Sequence, residues 1–182
     1  MQLEEIDRYV EQALFYARSE DVEKDYLIKE ISLEKCVNSV ITKNKQGFIL
    51  NSIDIEIGDI DKNIYCDSKW LEFILNQIIV NSIKYRNNEN PMVKINSINI
   101  KNGIQLIIED NGIGIPQNEI SRIFEKGFTG NKGRINSKST GIGLYLCKKL
   151  CDKLGLLISI ESKENLYTKV IITFSKGSFC KF

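Results

Sequence analysis

Along the first twenty positions Leu3, Ile6, Val10, Ala13 and Ala17 recur at alternating steps of three and four. That spacing is the a/d seam of a heptad repeat. Glu4, Glu5, Asp7, Arg8, Glu11 and Arg18 fill the other faces. The pattern predicts a helix over about 2–20 whose narrow apolar stripe asks for a partner helix. The plain alternative is a helix folded back on its own domain.

From about residue 25 the period changes. Tyr26 to Ile31 reads as a strand, and Ser32 is placed to cap a helix whose apolar face is Leu33, Val37, Val40 and Ile41. Ile53, Ile55 and Ile57 alternate with Asp54 and Glu56, the mark of a half-buried strand, and Asn63 to Cys66 is a shorter one. Asp67 or Ser68 caps a long helix that buries Trp70, Leu71, Ile74, Leu75, Ile78 and Ile79. Asn87 to Pro91 is a turn. Val93–Ile98 and Ile104–Ile108 form a hairpin turning at Lys101-Asn102-Gly103. A glycine-rich stretch runs to Gly143, its middle from Gly127 to Thr140 expected to be mobile. A helix over about Gly141 to Leu154 and two strands near 156–161 and 167–174 complete the pattern. Roughly three helices and at least five strands in one domain predict an α/β (α+β) two-layer sandwich, a mixed sheet with its helices on one face.

Composition narrows the chemistry. The chain has 182 residues and not one histidine. Ser-His-Asp and Cys-His catalysis, histidine-ligated metals and a histidine general base are therefore excluded. A net charge of +1 gives no field to attract nucleic acid or an anionic membrane. No apolar run is long enough to span a bilayer, so no insertion of this chain into a membrane is expected. Cys36, Cys66, Cys147, Cys151 and Cys180 contain no CxxC pair. They read as small core residues, with a two-thiolate site at Cys147 and Cys151 as the alternative.

Four local features can carry chemistry. On the long helix Gln77 and Asn81 stack on one face, and Lys84 and Tyr85 continue it. An amide oxygen can ligate Mg²⁺, an ammonium can meet phosphate, and a phenol ring can lie against a base. Alone, such residues would be only the solvated face of the helix. Asp110-Asn111-Gly112-Ile113-Gly114-Ile115 follows a strong strand. A carboxylate there can accept from an exocyclic amine, and the glycines admit close backbone approach. The plain alternative is an ordinary Asp-Asn-Gly turn. Phe124 and Phe128 punctuate a polar, glycine-spaced loop, which fits hydrophobic anchoring or core packing. Ser139-Thr140-Gly141-Ile142-Gly143-Leu144 opens a helix whose free amides suit an anion, although it is neither a Walker A motif nor a dinucleotide fingerprint.

In this order and at these separations the four resemble the N, G1, F and G2 boxes of the GHKL ATPase superfamily. It contains sensor histidine kinases, type II topoisomerase ATPase subunits, a heat-shock chaperone family and mismatch-repair ATPases. The resemblance covers about residues 25–175 and implies a Bergerat-type fold that holds ATP between the long helix and a lid over about 116–140. It implies that Asn81 is the Mg²⁺ ligand, Lys84 a phosphate contact and Tyr85 the aromatic beside the nucleotide. Asp110 would read adenine, with Gly112 and Gly114 as its loop glycines and Phe124 and Phe128 as the F box. Thr140, Gly141, Ile142, Gly143 and Leu144 would lie at the phosphates. Lys126, Lys132 and Arg134 are lid cations that could reach the γ-phosphate, and the resemblance assigns that contact to none of them.

Gln77 separates the branches. Hydrolysing members resemble one another in having glutamate four residues before the Mg²⁺ asparagine, as general base for water. Glutamine cannot take that proton. The resemblance therefore implies a protein-histidine kinase domain with no acid–base residue of its own, closest to kinases that sense envelope stress or antimicrobial peptides. It implies residues 1–22 as the end of the second helix of a dimerisation hairpin and 23–182 as the ATP-binding domain. The phospho-acceptor histidine would lie on the part of the hairpin absent from this chain. A homodimeric parent kinase, anchored in the plasma membrane with this domain in the cytoplasm, would pass the phosphoryl group to a response regulator. Two alternatives stay open: an ATPase whose cycle drives dimerisation, and an interaction module with a degenerate nucleotide pocket.

Overall fold

The computed structural model describes residues 26–87, 89–130 and 140–175. The helix expected at 2–20, Cys180 and the lid cations Lys132 and Arg134 lie outside the described residues.

Strand β1 (Lys29–Ser32) pairs antiparallel with β3 (Asn63–Cys66) in a small two-stranded sheet. The main sheet has five strands in the order β2 (Asp54–Ile57), β4 (Met92–Ile100), β5 (Gly103–Asp110), β7 (Tyr167–Ser175), β6 (Leu157–Lys163). Only β2 and β4 run parallel, and the other pairs are antiparallel. The expected hairpin is β4–β5, with Ile100 opposite Gly103. The helices are α1 (Leu33–Lys43), α2 (Lys45–Leu50), α3 (Ser68–Lys84), α4 (Gln117–Ile120) and α5 (Gly143–Lys153). This is the expected two-layer sandwich with a mixed sheet.

The two sheet faces differ because the strands alternate. Val93, Ile95, Leu106, Ile108, Val170 and Ile172 are buried beneath the helices. On the opposite face Glu56, Lys94, Glu109, Lys169 and Glu161 are register neighbours across all five strands. Lys94 pairs with Glu56 at 2.9 Å and Lys169 with Glu109 at 3.1 Å. Exposed pairs of this kind contribute only about 0–1 kcal/mol each. Their alternating signs do fix which face meets water.

The helix starts follow the predicted caps. Ser32 Oγ accepts from Lys35 N at 3.2 Å. Asp67 accepts from Lys69 N and Trp70 N at 2.9 and 3.2 Å, and its other oxygen accepts from Leu27 N at 2.9 Å. One carboxylate thus caps α3 and pins the incoming chain, a contribution of about 1 kcal/mol for the cap alone. Helix α2 carries no amphipathic period and is not predicted. It forms because Asn44 ends α1, donating to Val40 O and to Asn76 Oδ1 at 2.9 and 2.8 Å. Phe48 then packs into the core. A Cβ on Gly47 would lie 3.1 Å from Ile83 Cδ1, so tertiary packing against α3 sets this helix.

Cys36, Cys66, Cys147 and Cys151 are buried free thiols. Burial pushes Cys36 up to about 11 and Cys66 and Cys151 up to about 12. They pack as small hydrophobes. Among the described residues no cluster of three or more Cys, Asp or Glu side chains could hold a metal ion. No described helix is long and apolar enough to cross a membrane.

Candidate functional site

A cavity of about 270 Å³ opens between the last turns of α3, the end of β5 and the start of α5. Helix α3 carries polar side chains here because its apolar stripe has already met the sheet. Gln77 is only 3% exposed yet lines the cavity, and half-buried Asn81, Lys84 and Tyr85 continue the wall. Lys84 Nζ lies 5.3 Å from the centroid of the Tyr85 ring. Tyr85 caps α3, donating its N–H to Asn81 O at 2.8 Å.

Asp110 sits at the end of β5, 8% exposed. Its Oδ2 accepts from Ser82 Oγ at 2.8 Å and its Oδ1 from Gly112 N at 3.0 Å. Burial raises its pKa above the usual carboxylate value, the two hydrogen bonds pull it back, and neighbouring Glu109 adds to the rise. The carboxylate is thus held rigidly by two donors at the cavity wall.

The loop after Asp110 is clamped from both sides. Ile113 N donates to Tyr85 O, and Ile113 O accepts from Asn165 N. Ile115 N donates to Ser162 Oγ at 2.9 Å. Gly112 is not on the cavity wall. A Cβ there would lie 2.3 Å from Tyr85 O and 2.7 Å from Asp110 Oδ1, so its job is backbone clearance behind the carboxylate. Gly114 does line the cavity, at φ +62°, with Lys163 O occupying the space a Cβ would need.

Across the cavity Phe128 lines the wall under the Arg122 guanidinium, 4.7 Å from the ring centroid, whereas Phe124 packs against the core. Thr140, Gly141, Gly143 and Leu144 line the cavity; Ile142 instead packs against the core. Helix α5 starts without a side-chain cap, which leaves its first amides to an anion.

Sequence reasoning missed several wall residues. Ser82 follows Asn81 on α3, and its link to Asp110 needs the α3–β5 packing to be seen. Thr168 faces Asp110 across β5 and β7, a pairing that no periodicity reveals. Ile113, Ile115, Ile160 and Val170 supply an apolar wall suited to a flat ring. Glu119 and Glu164 also line the cavity.

Asn81 contributes one amide oxygen, and the described residues offer no cluster of acidic ligands. A sparse protein donor set of this kind could serve Mg²⁺ only together with waters and substrate phosphates, which supply most of its ligands in nucleotide sites.

Residues 66–178 match the family described as histidine kinase-, DNA gyrase B- and HSP90-like ATPases. The chain is 33% identical over 175 residues to the sensor histidine kinase YxdK of Bacillus subtilis, covering 95% of this chain and 54% of that protein. It is 33% identical over 170 residues to the sensor protein kinase GraS of Staphylococcus aureus, covering 93% and 49%. The chain therefore spans about half the length of the curated relatives it matches. The catalytic domain of histidine kinase ThkA superposes with a TM-score of 0.70 at 24% identity, covering 82% of this chain and 98% of that one. At that identity the likeness is one of fold.

Proposed function

Since this chain belongs to the histidine kinase-, DNA gyrase B- and HSP90-like ATPases, we propose that it is the ATP-binding catalytic domain of a two-component sensor histidine kinase. In this reading it binds Mg·ATP in the α3 cavity and gives the γ-phosphoryl group to a histidine on a dimerisation domain that these residues do not include. The parent protein is a homodimer at the plasma membrane with this domain in the cytoplasm, and a response regulator receives the phosphoryl group. Sensor kinases among the relatives support this, as does a ThkA structure in complex with the response regulator TrrA.

The observation that carries the reading is the gathering of Gln77, Asn81, Asp110 and Gly141 around one cavity. Asp110 accepts the adenine amine, and Ile113, Ile115, Ile160 and Val170 hold the ring. Asn81 is the protein ligand for Mg²⁺, which when bound offsets the charge of the phosphates. The first amides of α5 and the Lys84 ammonium meet the phosphate oxygens. Gln77 stands where a water-activating carboxylate would act, and an amide cannot take a proton at neutral pH. A neutral imidazole needs no such base, because it is already nucleophilic. Transfer through a loose transition state then depends on positioning and charge neutralisation.

The test adds the 182-residue chain to a separately produced histidine-bearing hairpin with γ-labelled ATP. Label on the histidine is the expected result. Brisk multiple-turnover hydrolysis by the chain alone, with no label transferred, would overturn the proposal in favour of an ATPase.

A further inference from the structure

Asp110, Thr168 and Ser162 stand in one row across three neighbouring strands, Asp110 opposite Thr168 and Thr168 opposite Ser162. Asp110 and Thr168 line the cavity; Ser162 is half-buried one strand further out. A hydroxyl has one proton to give and two lone pairs with which to accept. At Ser162 all three are assigned by its partners. The Tyr167 carbonyl can only accept, so Ser162 Oγ donates to it at 2.6 Å. The Ile115 amide can only donate, and Ser162 Oγ accepts from it at 2.9 Å. In the remaining contact, 3.3 Å to Thr168 Oγ1, Thr168 must be the donor, because Ser162 has no second proton. That contact spends the single Thr168 proton. Any polar contact Thr168 then makes with a molecule in the cavity is made as an acceptor.

We infer that Ser162 is a positioning residue for base selection: it fixes the Thr168 hydroxyl as an acceptor beside Asp110, so this corner takes an amino group and rejects a carbonyl. The inference rests on the nucleotide reading above, in which Asp110 takes the adenine amine, and adds the device that holds a second acceptor beside it. A 6-amino purine offers N–H donors to the two acceptors. A 6-oxo purine sets a carbonyl against them and leaves buried lone pairs unsatisfied, which is the costly case. A Thr168 hydroxyl released from Ser162 is free to turn and donate to that carbonyl. Discrimination then relaxes although no residue on the cavity wall has changed.

Calorimetric Kd values for ATP and for inosine triphosphate, which differs at the 6-position, test this on the 182-residue chain. The unmodified chain prefers ATP. Ser162→Ala lowers the ATP-over-ITP preference about five- to tenfold, the size of one neutral hydrogen bond. Ser162→Thr keeps the hydroxyl and the preference. Thr168→Val removes the acceptor with little change of shape and also lowers the preference, so it serves as the probe if Ser162→Ala does not fold. A Ser162→Ala chain that weakens ATP and ITP equally, or a Thr168→Val chain of unchanged preference, overturns the inference. An unmodified chain that binds both alike overturns it too, while leaving the nucleotide reading standing. Binding of neither overturns both.

Discussion

Replacing Asp110 by asparagine separates the fold from the site. In the folded chain the carboxylate is 8% exposed and takes one hydrogen bond on each oxygen, from Gly112 N and from Ser82 Oγ. Asparagine can keep both contacts. Its Oδ1 still accepts from Gly112 N, and its Nδ2 donates to Ser82 Oγ, whose lone pairs are available to receive it. What disappears is the buried negative charge. Because burial raises the pKa of Asp110 in the folded state, the protonated form is favoured there relative to the unfolded chain. Its contribution to stability is therefore fully present below the usual carboxylate pKa and is lost as pH rises through the raised value. The asparagine chain has no such loss. Near neutral pH it should unfold within about 1 kcal/mol of the parent chain or be slightly more stable, and its advantage should shrink on acidification. ATP binding moves the other way. A charge-assisted hydrogen bond from the adenine amine, about 1.5–3 kcal/mol, is replaced by an amide that cannot accept in the same place, so Kd rises roughly ten- to 150-fold. Thermal unfolding followed by circular dichroism at acid and neutral pH, with calorimetric titration of ATP, reads both. A large loss of stability at neutral pH would show that the carboxylate holds the fold together. Unchanged ATP affinity would refute its part in binding.

Asn81→Ala should weaken nucleotide binding about tenfold in Mg²⁺ and leave it unchanged in chelator; equal losses in both would refute a ligand role. Gln77→Glu should raise ATP hydrolysis at least about tenfold, since general bases contribute roughly 10²–10⁴, and unchanged turnover would remove Gln77 from the explanation. Gly114→Ala forces a Cβ to 2.2 Å from Lys163 O at φ +62°, so stability should fall by about 1–3 kcal/mol, seen as a lowered Tm. Cys36, Cys66, Cys147 and Cys151, with thiols raised by burial, should resist alkylation at neutral pH until the chain unfolds; rapid labelling of the folded chain would contradict their packing.

The helices and hairpin that build the core were legible because their apolar residues keep a strict period. Trp70 to Ile79 on α3 and the alternation of β4 and β5 need no tertiary information to be seen. The caps at Ser32 and Asp67 were legible for the same reason, being local chemistry within three residues of what they bind. Helix α2 was not, because what holds it is Phe48 in the core and the close contact of Gly47 with Ile83. The site divides along the same line. Gln77, Asn81 and Asp110 lie in motifs that a single chain segment displays. Thr168 and Ser162 reach the site only through strand register, and Gly112 and Ile142, which the motifs nominate, turn out to support the wall from behind it.

The cavity does contain carboxylates, and their placement bears on whether the bound nucleotide would be hydrolysed. Asp110 has both oxygens engaged by Ser82 and Gly112, at the end of the cavity proposed to hold the ring. Glu119 belongs to α4 and reaches Gly130, its Oε2 standing 2.3 Å from where a Cβ on that glycine would be. Glu164 lies in the β6–β7 turn that clamps the Asp110 loop through its neighbour Asn165. None of the three shares a helical face with Asn81, whereas Gln77 stands one turn before Asn81 on α3. A base that deprotonates water for attack on the γ-phosphate must sit beside the metal and within hydrogen-bond reach of that water. At the corresponding position of α3, one turn before the proposed Mg²⁺ ligand Asn81, this chain carries the amide of Gln77. On the proposed reading, restraint on hydrolysis follows from the amide at Gln77 and not from any shortage of acid in the cavity. It also explains why Gln77→Glu is the substitution that tests it.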